Sequence, residues 1–511
     1  MKTILNKRLL AWLLAFVMLL GTVGMVACAD DTTDDPKDPA TEDDGTTPDE
    51  DPEDDEEPRL PLDLPSATYG GDEIHFLEWS CGGQETAGES WIPWEEVAVD
   101  DYDGDLVNSA IYDRNSHVEE TYDVKITKEY ISIDKGYIET VRNNNTTGDN
   151  AFQVITLRTT NIATLVFENI MANMFEMENL HTDMPWWNQD SVRSYTLGTN
   201  LFFAAPEMLL RDKGATACMF FNNKVATDHE IDNLYELASE GEWTQEELIS
   251  MSEDVAADLD GSDAMDSMLD MWGVAGGQRD IPYYLFTGSG LKFAHINDEG
   301  YIEYDFGDEE SIVILKDIFD YIMYSDFYTS GHEFEVNNVI DVFTGDRSLF
   351  YFGMVKHVMQ LRNMESIYGV LPIPKASEDQ ESYSSLVWMH HDSVLGVPAA
   401  VPEGDLGMVS TVLEHMSYIS YYDVYPSFYD TVILTKSTHD EESKRMLQIV
   451  FETRSFDPGQ YWDNGSGLHG GNGYLTFHEK GVSDVASTWA SFEEAVYEKF
   501  DELNAKIDGL E

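Results

Sequence analysis

The sequence is poor in basic residues, and this scarcity excludes two classes of partner. Its 511 residues hold 29 Lys and Arg against 98 Asp and Glu, which gives a formal net charge of −69. Phosphate backbones and anionic lipid headgroups bind to basic surfaces and are repelled by acidic ones. We therefore expect neither nucleic acid nor a membrane surface to bind the folded body.

Cysteine is also scarce. The sequence has three, Cys28, Cys81 and Cys218, and their spacing fits neither a disulfide framework nor a zinc cluster. Cys28 belongs to the leader described below, whereas Cys81 and Cys218 either pair with each other or remain free.

Motifs that carry catalysis or hold a cofactor are missing. Gly288-Ser289-Gly290 lacks the spacing of a nucleophile elbow, and there is no phosphate-cradling loop or His-Glu-x-x-His pair. We interpret His332-Glu333 and His390-His391-Asp392 as solvated or hydrogen-bonded polar residues rather than metal ligands. The sequence therefore predicts no enzyme, no cofactor and no metal site, while the many carboxylates leave a glycosidase pair open as an alternative.

Asp101-Tyr102-Asp103-Gly104-Asp105 has the first ligand positions of a calcium-binding loop. Leu106 stands at the sixth position, where such a loop has glycine, and Tyr112 at the twelfth, where it has glutamate. We interpret this run as a turn that caps the following helix.

Residues 1–27 have the form of a lipoprotein export signal. Basic residues precede an apolar run over 9–23, which is marginal in length for a membrane-spanning anchor and ends in glycines. Met25-Val26-Ala27-Cys28 resembles a bacterial lipobox, which implies lipidation of Cys28. The lipid alone would then hold the protein on the extracellular face of the cell membrane.

Residues 28–68 read as an acidic linker. They hold 17 acidic and two basic residues and so contribute −15 to the net charge. Low hydropathy and mutual repulsion keep such a segment extended and disordered. A calcium-binding tail is the alternative, but nothing fixes the geometry of its ligands.

The body shows alternating strand and helix signals. Strand-like runs at 73–79, 124–127 and 152–157 flank an apolar face of helical spacing over 106–122. This order predicts an α/β class with an open sheet, in which ligands bind beyond the carboxyl ends of the strands.

Further signals extend this pattern to the end of the chain. A second α/β segment starts at 215–222, and Thr244 with Glu247 predicts a capping box at a helix start. Apolar residues at steps of four, four, three and four predict a final helix over 492–507.

Aromatic residues are abundant and often adjoin polar ones. The chain has 11 Trp, 26 Tyr and 24 Phe, with runs such as Pro185-Trp186-Trp187-Asn188, Pro282-Tyr283-Tyr284, Val387-Trp388-Met389 and Gln460-Tyr461-Trp462-Asp463. Sugar rings stack on aromatic faces, and their hydroxyls need polar partners, so these runs favour carbohydrate capture. Packing in the core is the alternative for each of them.

Several short stretches stand in an order typical of one family of exported proteins. They include Ala110-Ile111-Tyr112-Asp113-Arg114-Asn115, Pro185-Trp186-Trp187-Asn188, Phe221-Asn222-Asn223-Lys224, Gly241-Glu242-Trp243-Thr244, Tyr368-Gly369-Val370-Leu371-Pro372-Ile373-Pro374-Lys375 and Asp457-Pro458-Gly459-Gln460-Tyr461. Over about residues 72–508 the chain thus resembles extracellular solute-binding protein family 1, the carbohydrate-binding group similar to maltose-binding protein.

The resemblance implies a two-lobed, periplasmic-binding-protein-like fold of type II, in which crossing segments act as hinges. Lobe 1 would comprise residues 69–205 and 396–436, and lobe 2 residues 206–395 and 437–511. Crossings are expected near 205–215, 395–400 and 434–438.

The expected ligand-binding residues come from strand ends and from the resemblance. Trp79, Arg158 and Asn161 stand at the carboxyl ends of predicted strands. The resemblance adds Tyr283 or Tyr284 as a stacking aromatic, and Trp388 and Trp462 as rings near the cleft. It also adds Trp186, which either contacts ligand or, with Trp187, braces the lobe.

The resemblance further implies a function. The protein would be a monomer that captures a small polar solute, a mono- or oligosaccharide, and delivers it to the permease subunits of an ABC importer. The alternatives are a cell-surface glycoside hydrolase, which would show turnover, and a non-catalytic adhesion protein, which would bind no small solute.

The lipid anchor can be tested by metabolic labelling. We expect a fatty-acid analogue to label the wild-type protein and not Cys28→Ala, because the thioether at Cys28 would be the attachment point. Equal labelling of both proteins would remove the lipoprotein assignment.

Overall fold

The computed structural model describes residues 58–80, 94–102, 104–262, 265–330, 336–433, 441–462 and 484–510. The leader, most of the acidic linker, Cys28, Cys81, His332 and the crossing predicted at 434–438 lie outside the described residues.

Strands and helices alternate along most of the described chain. The strands are β1 Asp72–Ser80, β2 Val124–Ser132, β3 Val154–Leu157, β4 Thr196–Leu197, β5 Asn200–Leu201, β6 Ala217–Asn222, β7 Trp272–Gly276, β8 Ala294–Ile296, β9 Ile302–Tyr304, β10 Tyr328–Thr329, β11 Ser348–Met354, β12 Tyr368–Leu371, β13 Ser385–Leu386, β14 Val394–Gly396 and β15 Arg454–Ser455.

The α-helices are α1 Leu106–Tyr122, α2 Tyr137–Thr147, α3 Ile162–Val166, α4 Gln189–Tyr195, α5 Arg211–Gly214, α6 Asn223–Asp228, α7 Leu234–Glu240, α8 Gln245–Val255, α9 Ile281–Gly288, α10 Glu309–Asp317, α11 Val336–Thr344, α12 Val358–Leu361, α13 Glu403–Ile419, α14 Tyr425–Ile433, α15 Glu441–Glu452, α16 Pro458–Tyr461, α17 Val485–Ala490 and α18 Glu493–Ile507. Short 3-10 turns at Ile133–Lys135, Thr159–Asn161, Met174–Glu176 and Val355–His357, and π-helical turns at Ile318–Met323 and Ser420–Val424, complete the set. Among the described helices, none combines the length and the apolarity that crossing a bilayer requires.

Two sheets organise the body. The first has the strand order β14-β3-β1-β2, in which β1 is parallel to both β2 and β3, and β14 is antiparallel to β3. The second has the order β10-β7-β11-β6-β12, in which β6 runs antiparallel to both β11 and β12. All four residues of β3 and all seven of β11 are buried, which fits central strands covered on both faces.

The helices predicted over 106–122 and 492–507 are confirmed, and of the predicted capping box the Thr244 half is confirmed. The helix predicted over 106–122 is α1, and the Asp105 side chain caps it by accepting hydrogen bonds from the backbone N–H groups of Val107 and Asn108, both at 3.0 Å. Thr244 caps α8 by accepting from the N–H of Glu247 at 3.4 Å. The apolar residues of α18 are buried as their spacing predicts.

The predicted linker ends earlier than expected. Arg59 donates hydrogen bonds to both carboxylate oxygens of Asp423, at 3.0 and 2.5 Å, and the Leu60 N–H donates to the Tyr422 hydroxyl at 2.9 Å. Leu62 and Leu64 also pack against the core. These contacts order residues 59–68 on the body, because the few apolar side chains at the end of the acidic segment find a surface to cover.

Two described segments carry the chain between the sheets. Residues 205–216 run from Ala204, which bridges to Leu395 beside the first sheet, to β6 of the second sheet. Residues 387–394 run from Val387, which bridges to Thr216, to β14 of the first sheet. This second crossing precedes the position 395–400 expected for it, because Leu395 already pairs within the first sheet.

A buried carboxylate anchors the two adjacent tryptophans of the first lobe. Glu414 of α13 is fully buried and accepts hydrogen bonds from the indole N–H groups of Trp186 at 2.8 Å and Trp187 at 2.9 Å. The His181 backbone N–H donates to the same carboxylate at 3.2 Å. A buried charge held by several donors is stabilising only while all of them remain in place.

This anchor predicts a loss of stability when the charge is removed. Glu414→Gln places an amide NH2 against an indole N–H, so we expect the free energy of unfolding to fall by about 2–4 kcal/mol in chemical denaturation. The control is Glu120→Gln, an identical change on the exposed side of α1, which should alter stability by less than about 0.5 kcal/mol. Equal stability of the two variants would contradict the anchoring role.

Candidate ligand-binding junction

The carboxyl ends of strands from both sheets meet at one region. Ser80 and Leu157 end β1 and β3 of the first sheet, and Gly276 and Met354 end β7 and β11 of the second. The crossing 387–394 spans from one of these edges to the other. We call this region the junction. In open α/β sheets ligands bind at such edges.

Arg158, Asn161 and Trp79 form one group on the first-sheet side of the junction. The Arg158 Nε donates to the Asn161 Oδ1 at 3.0 Å, and the guanidinium carbon lies 5.9 Å from the centre of the Trp79 ring. The turn Thr159–Asn161, which directly follows β3, sets this position. The structure therefore brings together the three residues that strand ends predicted.

Trp388, Tyr283 and Tyr284 form a second group, on the other side. The Trp388 backbone N–H donates to the Ala215 carbonyl at 3.0 Å, which ties the two crossings together. Its ring lies 5.3 Å from the Tyr283 ring, 5.9 Å from the Tyr284 ring and 5.5 Å from the His390 ring, measured between centroids. Both tyrosines sit on α9, the helix that follows β7.

Trp186 and Trp462 lie elsewhere. Trp186 contacts Glu414 and Tyr418 of α13, so in this structure it braces the first lobe, one of the two roles the sequence left open. Trp462 is buried against Phe167, and its indole N–H donates to the Ser194 carbonyl at 3.3 Å. Within the described residues, neither ring contacts a ring of the Arg158 group or of the Trp388 group. The ligand-binding roles of Trp186 and Trp462 stay predictions.

Sequence reasoning missed Gln460. Its side chain is 4 % exposed, and neither amide atom makes a hydrogen bond to the described residues. Its helix α16 packs against the turn Thr159–Asn161, which places it beside the Arg158 group. A buried amide without partners is costly unless a polar guest satisfies it. The signal was present, because Gln460 stands in the stretch Asp457-Pro458-Gly459-Gln460-Tyr461.

Other buried polar groups of the junction also lack partners among the described residues. They include the indole N–H of Trp79 and the hydroxyls of Tyr284, Ser80 and Ser393. Together with Gln460 they offer hydrogen bonds beside aromatic rings, which is the combination that a sugar hydroxyl and its C–H face require.

Buried ion pairs fix the first crossing to the first sheet. Arg211 lies 3.1 Å from a Glu96 carboxylate oxygen and 3.5 Å from one of Glu78, and its guanidinium carbon is 5.3 Å from the Trp79 ring centre. Burial raises the pKa of Glu78 to about 7, against the lowering effect of Lys128 and Arg211. The carboxylates of Glu78 and Glu96 thus hold Arg211 of the first crossing in place.

A second set of ion pairs fixes the same crossing to β15. Arg454 pairs with Asp212 at 2.6 Å and with Glu207 at 2.8 Å, and Lys213 pairs with Glu207 at 2.8 Å. All four side chains are almost fully buried. Such a set holds one geometry, because any displaced charge would remain uncompensated in the interior.

The histidines of the second crossing are neutral near pH 7. Burial, and then the charge of Arg158, lowers the pKa of His390 to about 4. Burial lowers the pKa of His391 well below its usual value, and Lys356 adds to the effect. Asp392 accepts from the Thr159 N–H at 3.0 Å and from its hydroxyl at 2.7 Å, so the interpretation of this run as hydrogen-bonded polar residues is confirmed for Asp392.

One cluster of carboxylates has the spacing of a cation site. Asp258, Asp260 and Asp270 each offer an oxygen within 4.8 Å of the others. Both oxygens of Asp270, however, accept backbone N–H groups of this loop, from Leu259 at 2.8 Å and Asp266 at 2.7 Å. The carboxylate of Asp270 is therefore used in ordering the loop itself.

Cys218 is buried and has a free thiol.

Solved structures share this fold. UspC from M. tuberculosis matches with a TM-score of 0.54 at 13% sequence identity, over 84% of this chain and 100% of that chain. A cyclo/maltodextrin-binding protein complexed with maltotetraose matches with a TM-score of 0.54 at 11% identity, over 86% of this chain and 97% of that chain. No family model matches the sequence, and no curated protein matches it.

The fold class follows from these matches and from the two sheets. The chain is a two-lobed α/β protein of the periplasmic-binding-protein-like class. The resemblance read from the sequence is thus confirmed at the level of the fold.

Gln460 provides a test that separates ligand contact from packing. Gln460→Met keeps the shape of the side chain and removes the unpartnered amide, so we expect the melting temperature of the free protein to stay equal or rise. The melting shift produced by a bound sugar should shrink, because the amide no longer meets the solute. The control Gln448→Met, on the exposed face of α15, should change neither quantity. A lower melting temperature with an unchanged sugar-induced shift would assign Gln460 to packing alone.

Proposed function

We propose that this protein is an extracellular solute-binding protein that captures a small polar solute, a mono- or oligosaccharide, and delivers it to the permease subunits of an ABC importer. Support comes first from the junction, where aromatic rings and unpartnered polar groups adjoin between the carboxyl edges of two sheets. The cyclo/maltodextrin-binding protein of the same fold, solved in complex with maltotetraose, supports the carbohydrate class.

Capture would proceed by closure of the two lobes. The crossings 205–216 and 387–394 are the segments about which one sheet can turn relative to the other. A solute that contacts Arg158 on one side and the Trp388 group on the other gains both sets of contacts in the closed form alone. Such a solute stabilises that form by the difference in its affinity for the two forms.

The location follows from the leader. Lipidation at Cys28 would tether the protein to the extracellular face of the cell membrane, and the acidic segment would hold the body away from the anionic surface. In this role the protein acts as a monomer and performs no reaction on its solute.

A thermal-shift screen tests the proposal directly. We expect at least one of glucose, maltotriose, cellobiose and xylobiose to raise the melting temperature, since a solute present at 100 times its Kd adds about 2.7 kcal/mol to the free energy of unfolding. Incubation should leave the oligosaccharides intact. Cleavage products would favour a glycoside hydrolase instead, and no shift with any sugar would favour an adhesion protein.

Trp388 localises the binding. Because Trp388 is buried, Trp388→Phe is a better test than alanine, which would open a cavity. We expect about 2- to 10-fold weaker sugar binding in calorimetry, since the smaller ring loses part of an aromatic contact. The control Trp243→Phe removes a buried indole that contacts Phe350 and donates to the Pro372 carbonyl, and it should lower stability without changing affinity. An equal loss of affinity in both variants would contradict the assignment.

A further inference from the structure

Arg158 has no ion-pair partner among the described residues, although acidic residues outnumber basic ones by 98 to 29. In the described part of the chain, its side chain donates a hydrogen bond to Asn161 and lies over the face of Trp79. The two other arginines near the crossings differ, because Arg211 and Arg454 each pair with two carboxylates. Within the described residues, no ion pair therefore neutralises the positive charge of Arg158, whereas carboxylates neutralise those of Arg211 and Arg454.

A carboxylate near Arg158 is already committed. Asp392 is close enough for the charge of Arg158 to act on it, yet its two oxygens accept from the Thr159 N–H and hydroxyl. Burial raises the pKa of Asp392 to about 7, which these hydrogen bonds and Arg158 only partly oppose. With a pKa of about 7, Asp392 is only partly ionised near neutral pH and compensates the charge of Arg158 in part.

The two side chains that contact Arg158 directly, those of Asn161 and Trp79, have only donors left. The Asn161 Oδ1 already accepts from the Arg158 Nε and from the Thr160 hydroxyl, at 3.0 and 3.1 Å, so the free part of its amide is the NH2 group. The terminal guanidinium nitrogens of Arg158 and the indole N–H of Trp79 can also only donate. A neutral sugar hydroxyl needs acceptors as well as donors, whereas an anionic group needs donors alone.

Lys356 adds positive potential near Arg158. The charges of Lys356 and Arg158 both act on His391 and lower its pKa. His390 and His391 are themselves neutral near pH 7 and would not repel an anionic group placed beside Arg158.

We propose that the solute is a sugar bearing an anionic group, a carboxylate or a phosphate, which pairs with Arg158 and accepts hydrogen bonds from Asn161 and Trp79. This inference rests on the proposed function and names the chemical class of its solute. A guanidinium binds both kinds of anion through two parallel N–H···O bonds. Gln460, beside the same turn, can serve the sugar hydroxyls, because its amide offers both a donor and an acceptor.

The test compares matched charged and neutral sugars on the full-length protein by calorimetry. The pairs are digalacturonate with its methyl ester, and glucose 6-phosphate with glucose. We expect one of the anionic members to bind at least about 10-fold more tightly than its neutral partner, as expected for a charge-assisted contact. The pair that shows the preference identifies a carboxylate or a phosphate as the recognised group.

Variants of Arg158 assign the preference to this side chain. Arg158→Gln should abolish the preference by weakening the anionic sugar about 10- to 100-fold while changing the neutral sugar less than about 3-fold. Arg158→Lys, which keeps the charge without the planar fork, should retain part of it. The control Arg142→Gln removes an exposed arginine of α2 that pairs with Glu168. It should leave the affinities for both sugars unchanged.

The outcomes separate this inference from the proposed function. If neutral sugars bind as tightly as their anionic partners, or if Arg158→Gln keeps the preference, the anionic class is wrong and the binding function stands. If none of these four sugars nor the neutral panel binds, both are overturned. If circular dichroism shows that Arg158→Gln does not fold, Arg158→Lys serves as the test. A folded Arg158→Lys protein that keeps both the full affinity and the full preference for the anionic sugar contradicts pairing through the guanidinium fork.

Discussion

The ion pairs buried along the first crossing are the constraint on which the rest of the structure depends. Arg211 joins residues 205–216 to the end of β1 through Glu78 and to the segment before α1 through Glu96, and Arg454 joins the same crossing to β15. Removing one partner from such a set leaves an uncompensated buried charge, which costs about 3–5 kcal/mol. The first crossing is therefore held against the end of β1 and against β15 by charges that tolerate little displacement.

The junction depends on this arrangement because its parts come from distant places in the sequence. Trp79 ends the first strand, Arg158 follows the third, and Trp388 lies on the second crossing, more than 200 residues later. Arg211 packs on the face of Trp79 and so helps to fix the ring that Arg158 also contacts. Trp79 thus contacts two arginines. Arg211 is paired with carboxylates and holds the crossing, whereas Arg158 has no ion-pair partner among the described residues and is proposed to bind the solute.

Much of the fold was accessible from local patterns. The period of the apolar residues predicted α1 and α18, and alternation predicted β1, because a helix or strand that buries one face shows that face in its sequence. The cap of α1 by Asp105 followed from the same local chemistry. The end of the second crossing at Leu395 could not be predicted in this way. It is set by β14, which is three residues long and joins the first sheet by pairing with β3, and no local sequence period encodes that pairing.

The residues of the candidate site, like the elements of the fold, were only partly predictable from local sequence patterns. The sequence by itself determined the α/β class, the strand ends that carry Trp79, Arg158 and Asn161, and the acidic excess, because these follow from composition and from spacing within one element. Only the tertiary structure decided that Trp388 meets Tyr283, that Trp186 faces Glu414, and that Gln460 lies beside the turn after β3. An aromatic or amide side chain has the same local signature in a core and in a binding site, and its role is set by partners that the fold brings from elsewhere in the chain.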